Sequence, residues 1–402
     1  MRHPITVLFT LLFVTASYSQ AWLKLPDFTA AVRDDGVAKV IGNKAYVGTG
    51  LDPVSASIEF RVFDFATQQW SFLPSMPFTT ERQYACAFGT DTALYVTCGL
   101  GPSGALTSTY KFSFTTQSWK AVTPKPGKGL MSAVCFQFGN KIILAGGKGN
   151  NDSISHEVWQ YDIANDVWTQ KNKLPFSPLW RAAYSTIGNF GYQIGGIDSV
   201  GRFSKHLYQY NSQTDTWQLA DSLPTPKGRA YQGMQTRANS LYVFGGFDSL
   251  NTYYNDAYVY NTTTNSWDAA PTMPAAPRKG GMSFSDGQNF YYTCGITANG
   301  MRLNETWMTN IPVGLAENQA PGEKISVYPN PACQNLSLLF ENDAEKIILL
   351  IDAAGTVVFE KLCSCSFQSI DVSSYDSGIY FLKVKYPDKE STSKKILLLP
   401  NN

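Results

Sequence analysis

The sequence predicts an all-β fold in which one four-stranded unit is repeated six times before a smaller β-rich region. Apolar runs end at a glycine every 48 to 50 residues, tryptophans recur at the same spacing, and an aromatic residue stands seven positions before each of the last five tryptophans. The glycines are Gly50, Gly99, Gly147, Gly196, Gly246 and Gly295, and the tryptophans are Trp22, Trp70, Trp119, Trp168, Trp217 and Trp267. A period near 50 residues with four short strands is typical of a propeller blade, so we expect a six-bladed β-propeller.

The strands of each unit follow from the residue pattern. In the fifth unit the apolar and aromatic run at 241–244 favours a buried strand, and it stops at the pair Gly245-Gly246. A polar loop, an aromatic strand at 257–260, a polar turn and Trp267 come next. For the fourth unit the same pattern predicts strands at about 181–187, 190–196, 206–211 and 217–220.

The two ends of the repeat region are predicted to pair. The first tryptophan strand, at 21–25, precedes the first glycine-ended strand, and the last unit has no tryptophan after Trp307. We therefore expect the N-terminal strand to complete the sixth blade, which closes the ring and removes two exposed sheet edges.

The repeat resembles the kelch family over residues 20–311. The resemblance rests on apolar runs into a double glycine at 146–147, 195–196 and 245–246, and on the pairs Tyr161-Asp162, Tyr210-Asn211 and Tyr260-Asn261, each followed by a tryptophan. The sequence departs from the pattern where Thr49, Cys98 and Cys294 replace the first glycine. The resemblance implies that the long loops share one face; they span 51–58, 100–108, 148–156, 197–205, 247–254 and 296–303. Long loops on a rigid scaffold are where binding usually occurs.

A basic residue follows each tryptophan by 9 to 13 positions, and these residues are the main site candidates: Arg33, Arg82, Lys128, Arg181, Arg229 and Arg278. Propeller symmetry would place them around one end of the central channel, where converging cations bind a carboxylate, phosphate or sulfate. The alternative is that each one pairs with a neighbouring group and only holds blades together. Trp180 is a candidate platform for a sugar face, and Glu81 is a candidate proton carrier.

Residues 1–19 are predicted to be a secretory signal peptide, because a polar start precedes an apolar run and the small residues Ser17 and Ser19. The apolar run is too short for a membrane anchor, and we expect no transmembrane segment in the mature chain. The formal net charge is +1, which falls to about zero without Arg2. This balance gives no reason to expect nucleic acid as a partner.

Residues 312–323 carry two prolines and two glycines and are predicted to be a linker. Residues 324–402 contain short strands that favour a small β-sandwich. They resemble the type A sorting domain of the Bacteroidetes type IX secretion system, and the matching residues include Tyr328, Pro329, Asn330, Pro331, Gly378 and Tyr380. The resemblance implies handling by the type IX machinery and a secreted or outer-membrane-surface location.

The sequence indicates little catalytic chemistry. We expect no cofactor and no metal, because no cysteine or histidine spacing resembles a metal site. The only histidines beyond the predicted signal are His156 and His206, and the seven cysteines leave open a bridge from Cys363 or Cys365 to Cys333.

Three hypotheses of function follow. The first is an exported module that binds glycan or protein through its long-loop face. The second, implied by similarity to exported bacterial kelch propellers, is a mutarotase or epimerase acting on an acidic sugar such as sialic acid. The third is a structural or adhesion component without a small ligand.

Overall fold

The computed structural model describes residues 22–311, 325–330, 332–340, 342–352, 355–387 and 392–399. The predicted signal peptide, the predicted linker and Pro331 lie outside these residues. Every regular element in the described ranges is a strand, which confirms the predicted all-β class. The chain divides into two compact units, at 1–313 and 314–402, and each is described by itself.

The first unit contains six four-stranded antiparallel sheets. Strand β1 (Leu23–Leu25) comes first in the chain and pairs in the sixth sheet. Sheet one is β2 (Val37–Ile41), β3 (Lys44–Gly48), β4 (Phe60–Asp64) and β5 (Gln69–Leu73); sheet two is β6 (Cys86–Thr90), β7 (Ala93–Thr97), β10 (Thr109–Ser113) and β11 (Ser118–Val122), with the small hairpin β8 (Leu100–Gly101) and β9 (Gly104–Ala105) inserted; sheet three is β12 (Val134–Phe138), β13 (Lys141–Ala145), β14 (Val158–Asp162) and β15 (Val167–Gln170).

The remaining sheets repeat this order. Sheet four is β16 (Ala183–Ile187), β17 (Phe190–Ile194), β18 (His206–Asn211) and β19 (Thr216–Ser222); sheet five is β20 (Gly233–Arg237), β21 (Ser240–Phe244), β22 (Ala257–Asn261) and β23 (Ser266–Ala270); sheet six is β25 (Met282–Ser285), β26 (Asn289–Thr293), β28 (Thr306–Asn310) and β1, with β24 (Arg278–Lys279) paired to β27 (Ile296–Thr297) beside it. The strands predicted for the fourth unit match sheet four to within about two residues at each end, the usual uncertainty of strand boundaries.

Neighbouring sheets pack face to face through apolar cores. The first strands contact one another in order, from β2 to β6, β12, β16, β20 and β25, and β25 contacts β2 in turn. One core joins Phe63 of sheet one to Phe284 and Tyr291 of sheet six. Strand β1 pairs antiparallel with β28, with Lys24 opposite Trp307.

The repeated tryptophans also join neighbouring sheets. The Trp22 indole N–H donates to the Pro271 carbonyl at 2.8 Å, and the Trp119 indole donates to the Pro74 carbonyl at 2.8 Å. In both cases the carbonyl belongs to the segment leaving the preceding sheet. These two indoles therefore combine packing with one hydrogen bond, whereas the indole N–H groups of Trp217 and Trp267 are buried without a hydrogen-bond partner in the part of the chain that the structure describes.

The glycine pairs that end the second strands require the left-handed backbone region. Gly146 and Gly147 have φ values of 68° and 83°, and a Cβ on Gly147 would lie 2.9 Å from the Ala133 Cβ. Thr49, Cys98 and Cys294 adopt the same left-handed conformation with φ between 56° and 64°. The departures from double glycine therefore keep the backbone turn at a cost in strain.

The second unit contains two sheets that share one apolar core. The three-stranded sheet is β29 (Ile325–Tyr328), β30 (Asn335–Phe340) and β33 (Phe367–Asp371); the four-stranded sheet is β32 (Val357–Cys363), β31 (Lys346–Asp352), β34 (Gly378–Lys385) and β35 (Thr392–Leu398). Leu338 and Leu382, one from each sheet, lie in this core.

The cysteine pairing differs from the bridges to Cys333 that the sequence left open. Cys363 is bonded to Cys365, and Cys333 is free and exposed. Cys363 ends β32 and Cys365 lies just beyond it, so the chain can turn between them.

Candidate functional site

Six residues occupy equivalent positions, each just before the first strand of its sheet. We call them the mouth ring: Asp35, Tyr84, Ser132, Arg181, Tyr231 and Gly280. All six have positive φ, between 52° and 67°. Glycine adopts this conformation readily, whereas the five other residues hold it only because the surrounding structure imposes it.

Backbone hydrogen bonds link the mouth ring from sheet to sheet. The Asp35 N–H donates to the Gly280 carbonyl at 2.7 Å and the Tyr84 N–H donates to the Asp35 carbonyl at 2.8 Å. Ser132, Arg181 and Tyr231 each donate to the preceding member in the same way. This chain of bonds explains the imposed φ values, since each residue must turn to reach the next sheet.

A cavity of ≈ 190 Å³ opens at the mouth ring, and all six ring residues line it. The long loops start beside the same end, because Trp180 pairs with Ile197 and Ala230 pairs with Phe247 in isolated bridges. The cavity and the long loops therefore belong to one face, which we call the mouth face.

Arg181 is the repeat arginine that lines this cavity. Its guanidinium carbon lies 3.8 Å from the centroid of the Trp180 ring and 4.4 Å from that of Tyr231, and one Nη donates to the Tyr84 hydroxyl at 3.3 Å. Its Nε is buried without a hydrogen-bond partner, and among the described residues no carboxylate oxygen lies within 4 Å of the guanidinium. Aromatic faces stabilise such a cation but leave its donors free for an anion.

Four other repeat arginines are buried and paired within their own sheets. Arg229 donates to both oxygens of Asp256 at 2.6 and 2.9 Å. Arg33 donates to Glu59 at 2.7 Å and Arg278 to Glu305 at 2.6 Å, whereas Arg82 donates to the Thr80, Cys98 and Ser108 carbonyls. These bonds tie the segment entering each sheet to its other strands, and burial lowers the pKa of Arg82 to about 10.

Sheet three uses a different lysine from the expected one. Lys128 is exposed, whereas Lys125 is buried and its ammonium donates to the Lys128 carbonyl at 3.0 Å and lies 3.8 Å from Glu157. Lys125 thus occupies the environment that the buried arginines occupy elsewhere. The six predicted basic residues therefore divide into Arg181 at the cavity, four buried arginines, and an exposed lysine.

The carboxyl group that lines the same cavity as Arg181, without forming an ion pair with it, is that of Asp35, which is 8% exposed. Burial and the neighbouring Asp34 raise its pKa well above 3.8, while a hydrogen bond from Tyr84 and the charge of Arg181 act in the opposite direction. A carboxyl in this setting is a proton donor over an unusually wide pH range. The Tyr84 and Tyr231 hydroxyls lie 3.0 Å apart, and burial raises the pKa of both.

The remaining candidates lie at other places. Trp180 is half-buried on the mouth face between Arg181 and Lys148, whose ammonium is 4.4 Å from the indole centroid. The Glu81 carboxylate accepts the Thr79 N–H at 3.2 Å and does not line the cavity. His156 and His206 are exposed and do not line it either. No cluster of potential metal ligands occurs among the described residues.

Sequence reasoning named Tyr84 and Tyr231 only as aromatic residues that flank the basic positions, and it missed Asp35 and Ser132, although a positional signal exists. Every mouth-ring residue stands 15 positions before the glycine that ends the second strand of its unit; Asp35, for example, precedes Gly50 by 15 positions. Arg33, Arg82, Arg229 and Arg278 stand 17 positions before that glycine, as in 50 − 33 and 246 − 229. Arg181 is therefore out of register with the other arginines, and counting from the glycine rather than from the tryptophan separates it.

The sorting-motif residues lie at the start of the second unit and in its central strand. Asn330 accepts the Leu397 N–H at 2.9 Å and so fastens the entering segment to β35. Tyr328 is half-exposed, and Pro329 follows it. Gly378 begins β34, and Tyr380 is buried with its hydroxyl donating to the Asp376 carbonyl at 3.0 Å.

Comparison with known families agrees with the repeat pattern. The family described as "KLHDC2/KLHL20/DRC7 Kelch-repeats domain" matches residues 36–235 and 132–314, which together cover more than half of the chain. The chain belongs to the kelch-repeat family. No curated protein matches this kelch chain in sequence.

The tail and the fold have matches of their own. The family described as "Secretion system C-terminal sorting domain" matches residues 326–398, which confirms the predicted sorting tail and supports export of this kelch protein. The solved structure titled "Structure of YjhT" aligns with a TM-score of 0.64 at 17% identity, over 72% of this chain and 98% of that one. At this identity the likeness concerns the fold alone. The described residues contain no helix with the length and hydrophobicity needed to cross a bilayer.

Proposed function

We propose that this protein is an exported, six-bladed kelch propeller that binds an acidic glycan or a protein through its mouth face. Its six sheets form a ring that the N-terminal strand closes. The pairing of β1 with β28 and the bond from Asp35 to Gly280 support closure, because both join the first and last parts of the repeat region. Closure gives the mouth ring a rigid frame, which lowers the cost of ordering a site on binding.

Arg181 is the observation on which the binding proposal rests. Arg181 lines the cavity and has no carboxylate partner among the described residues. Such a cation is stabilised when an anion in the cavity pairs with its accessible donors. A carboxylate, sulfate or phosphate accepts from a guanidinium in the required planar geometry. Trp180 and Tyr231 then provide flat surfaces beside the charge. The ligand we propose is therefore an anion carried on a larger body.

A glycan array tests this proposal with the full chain. We expect selective retention of uronic-acid, sialic-acid or sulfated glycans if the ligand is a glycan, and loss of this retention in Arg181→Ala. Arg237→Ala is the matched control, because it removes the same charge at the far end of β20 and should leave binding unchanged. Retention that survives Arg181→Ala would contradict the site. If no glycan on the array is retained, a glycan ligand is excluded and a protein ligand remains the proposal.

A second candidate function is mutarotation or epimerisation of an acidic sugar. The observation that favours it is the buried Asp35 carboxyl in the same cavity as Arg181, since one group would move a proton while the other holds the sugar carboxylate. We expect Asp35→Asn to abolish catalysed anomeric exchange, measured by NMR line broadening, while binding persists. Unchanged exchange rates with and without the protein would exclude this candidate.

A further inference from the structure

Four of the six mouth-face loops present an exposed aliphatic or methionine side chain beside a short turn, and three of the four stand at equivalent positions. An Asp or Asn side chain accepts the backbone N–H of the residue two positions later, which fixes a tight turn. The pairs are Asp52 with Val54 at 2.8 Å, Asp198 with Val200 at 3.0 Å, Asp248 with Leu250 at 2.9 Å, and Asn299 with Met301 at 3.4 Å. We call the four aliphatic residues the aliphatic arc.

The members of the aliphatic arc are among the most exposed large apolar residues of the first unit. The exposed fractions are 92% for Val54, 70% for Val200, 69% for Leu250 and 54% for Met301. Single exposed apolar residues need no explanation. Val54, Val200 and Leu250 each stand four positions after the strand-ending glycine of their unit, whereas Met301 stands six positions after Gly295. Three exposed apolar residues at equivalent sites, with a fourth in the loop of sheet six, are a pattern, and their turns are set before any partner arrives.

The members of the arc belong to consecutive sheets. These are sheets four, five, six and one, and the contacts of β16 with β20, β20 with β25 and β25 with β2 make them neighbours in that order. Sheets two and three differ, because the Asn150 side chain accepts the Ala105 N–H and fastens their loops together. In sheet three Ile154 is buried instead of exposed. The mouth face therefore has an open apolar side and a closed polar side.

Two cations inside the arc lack carboxylate partners. Besides Arg181, Lys279 has its ammonium 4.3 Å from the Phe247 ring centroid and 5.3 Å from that of Tyr231. Within the described part of the chain no carboxylate oxygen lies within 4 Å of this ammonium. Two of the three acids of the arc turns have side-chain partners: Asp248 accepts from Tyr254 at 3.0 Å and lies 3.5 Å from Lys227, and Asp198 pairs with Arg202. The third, Asp52, accepts the backbone N–H groups of Val54 and Ser55. The surface is thus positive at its centre and apolar at its rim.

We propose that the aliphatic arc and the two central cations dock an acidic, hydrophobic peptide segment of another protein. A carboxylate of the segment faces Arg181 and Lys279, and its apolar side chains cover the arc. A glycan fits this rim less well, because sugars gain from aromatic stacking and hydrogen bonds, which aliphatic tips do not offer. The inference rests on the proposed mouth-face binding function and specifies its partner.

The test uses the full chain as bait for a displayed random-peptide library, followed by fluorescence binding of the enriched peptides after synthesis. We expect the peptides to combine Asp or Glu with large aliphatic residues. Affinity should fall about tenfold or more in the variant V54S/V200S/L250S/M301S and in Arg181→Ala, because anchors and a central charge carry such interfaces. The control variant F72S/V167S/L219S removes exposed apolar residues from the outer strands β5, β15 and β19 and should bind like wild type.

The outcomes separate this inference from the proposed function. Peptides that bind the arc variant as tightly as wild type, or no enriched peptide at all, would overturn the docking proposal. If acidic glycans nevertheless bind in an Arg181-dependent manner, the proposed binding function of the mouth face is supported and only the peptide-docking proposal fails. If neither peptides nor glycans depend on Arg181, both proposals fail. The arc residues are exposed, so an unchanged melting temperature of the arc variant shows that lost binding is not lost folding.

Discussion

Arg181 and Arg229 differ by two positions relative to the glycine pair, and this shift gives them different environments. Arg229 lies 17 positions before its glycine and reaches Asp256 inside sheet five, whereas Arg181 lies 15 positions before its own and faces the cavity. Both are arginines near the start of a first strand. The two residues have the same guanidinium chemistry. The presence of a neighbouring carboxylate makes Arg229 part of a structural ion pair, and its absence within the described chain leaves Arg181 available to a ligand.

Replacing Arg229 should destabilise the protein more than replacing Arg181. Arg229→Ala leaves a partly buried Asp256 without its bidentate partner, and we expect a loss of about 3 kcal/mol in unfolding free energy. Arg181→Ala breaks no ion pair and should cost less than about 1 kcal/mol. Urea denaturation of both variants measures this. Equal losses would contradict the division of the arginines into two environments.

Asp35 should make stability depend on pH in a defined direction. Its pKa is raised in the folded chain, so as pH rises through 3.8 the unfolded chain loses its proton first. Wild-type stability therefore decreases from that pH up to the folded pKa. Asp35→Asn lacks this effect and should melt at a higher temperature than wild type near neutrality, with the difference vanishing in acid. Thermal melts of both proteins across this range test it, and a difference that grows in acid would refute the assigned direction.

At the scale of strands, the apolar runs and glycines predicted most of the first unit, because burial on both faces and the left-handed turn leave few residue choices. The tail strand β33 (Phe367–Asp371) was missed, since its alternation of Phe, Gln, Ser, Ile and Asp is short and partly polar. The mouth ring was not predicted as a set, although Arg181 was a predicted site residue, because its members share a backbone conformation and not a residue type. The recurring arginine, which is a pattern of residue type, instead points mainly to the four arginines that are buried and paired within their sheets.

Strand β1 gives a direct test of how the repeat region is closed. Trp22 is 1% exposed, lies 5.3 Å from the Phe244 ring by centroid and donates to Pro271. We expect Trp22→Ala to cost about 3–5 kcal/mol, as for other buried tryptophans. Leu23→Ala is the control, because Leu23 is exposed and should change stability by no more than about 0.5 kcal/mol. A small effect of Trp22→Ala in calorimetry would argue against closure by this strand.

At the scale of the whole molecule, the chain combines a secretion sorting domain with the mouth face, for which we propose a binding function. The sorting tail at 326–398 supports delivery out of the cell or to its surface. The mouth face combines a free arginine, aromatic rings and preformed apolar turns in the first unit. The buried arginines and tryptophans hold the frame, so the loops can differ between sheets without loss of the fold. This explains how a symmetric repeat carries an asymmetric candidate site.

Arginine-selective labelling with a dicarbonyl reagent, followed by peptide mass spectrometry, tests the central claim before any ligand is identified. Five repeat arginines are compared in one sample of the folded full chain. We predict that Arg181 reacts much faster than Arg33, Arg82, Arg229 and Arg278, because it lines an open cavity without a carboxylate partner while they are buried and paired. Labelling of Arg181 as slowly as the buried four would contradict the claim that the mouth face offers a free cation to a ligand.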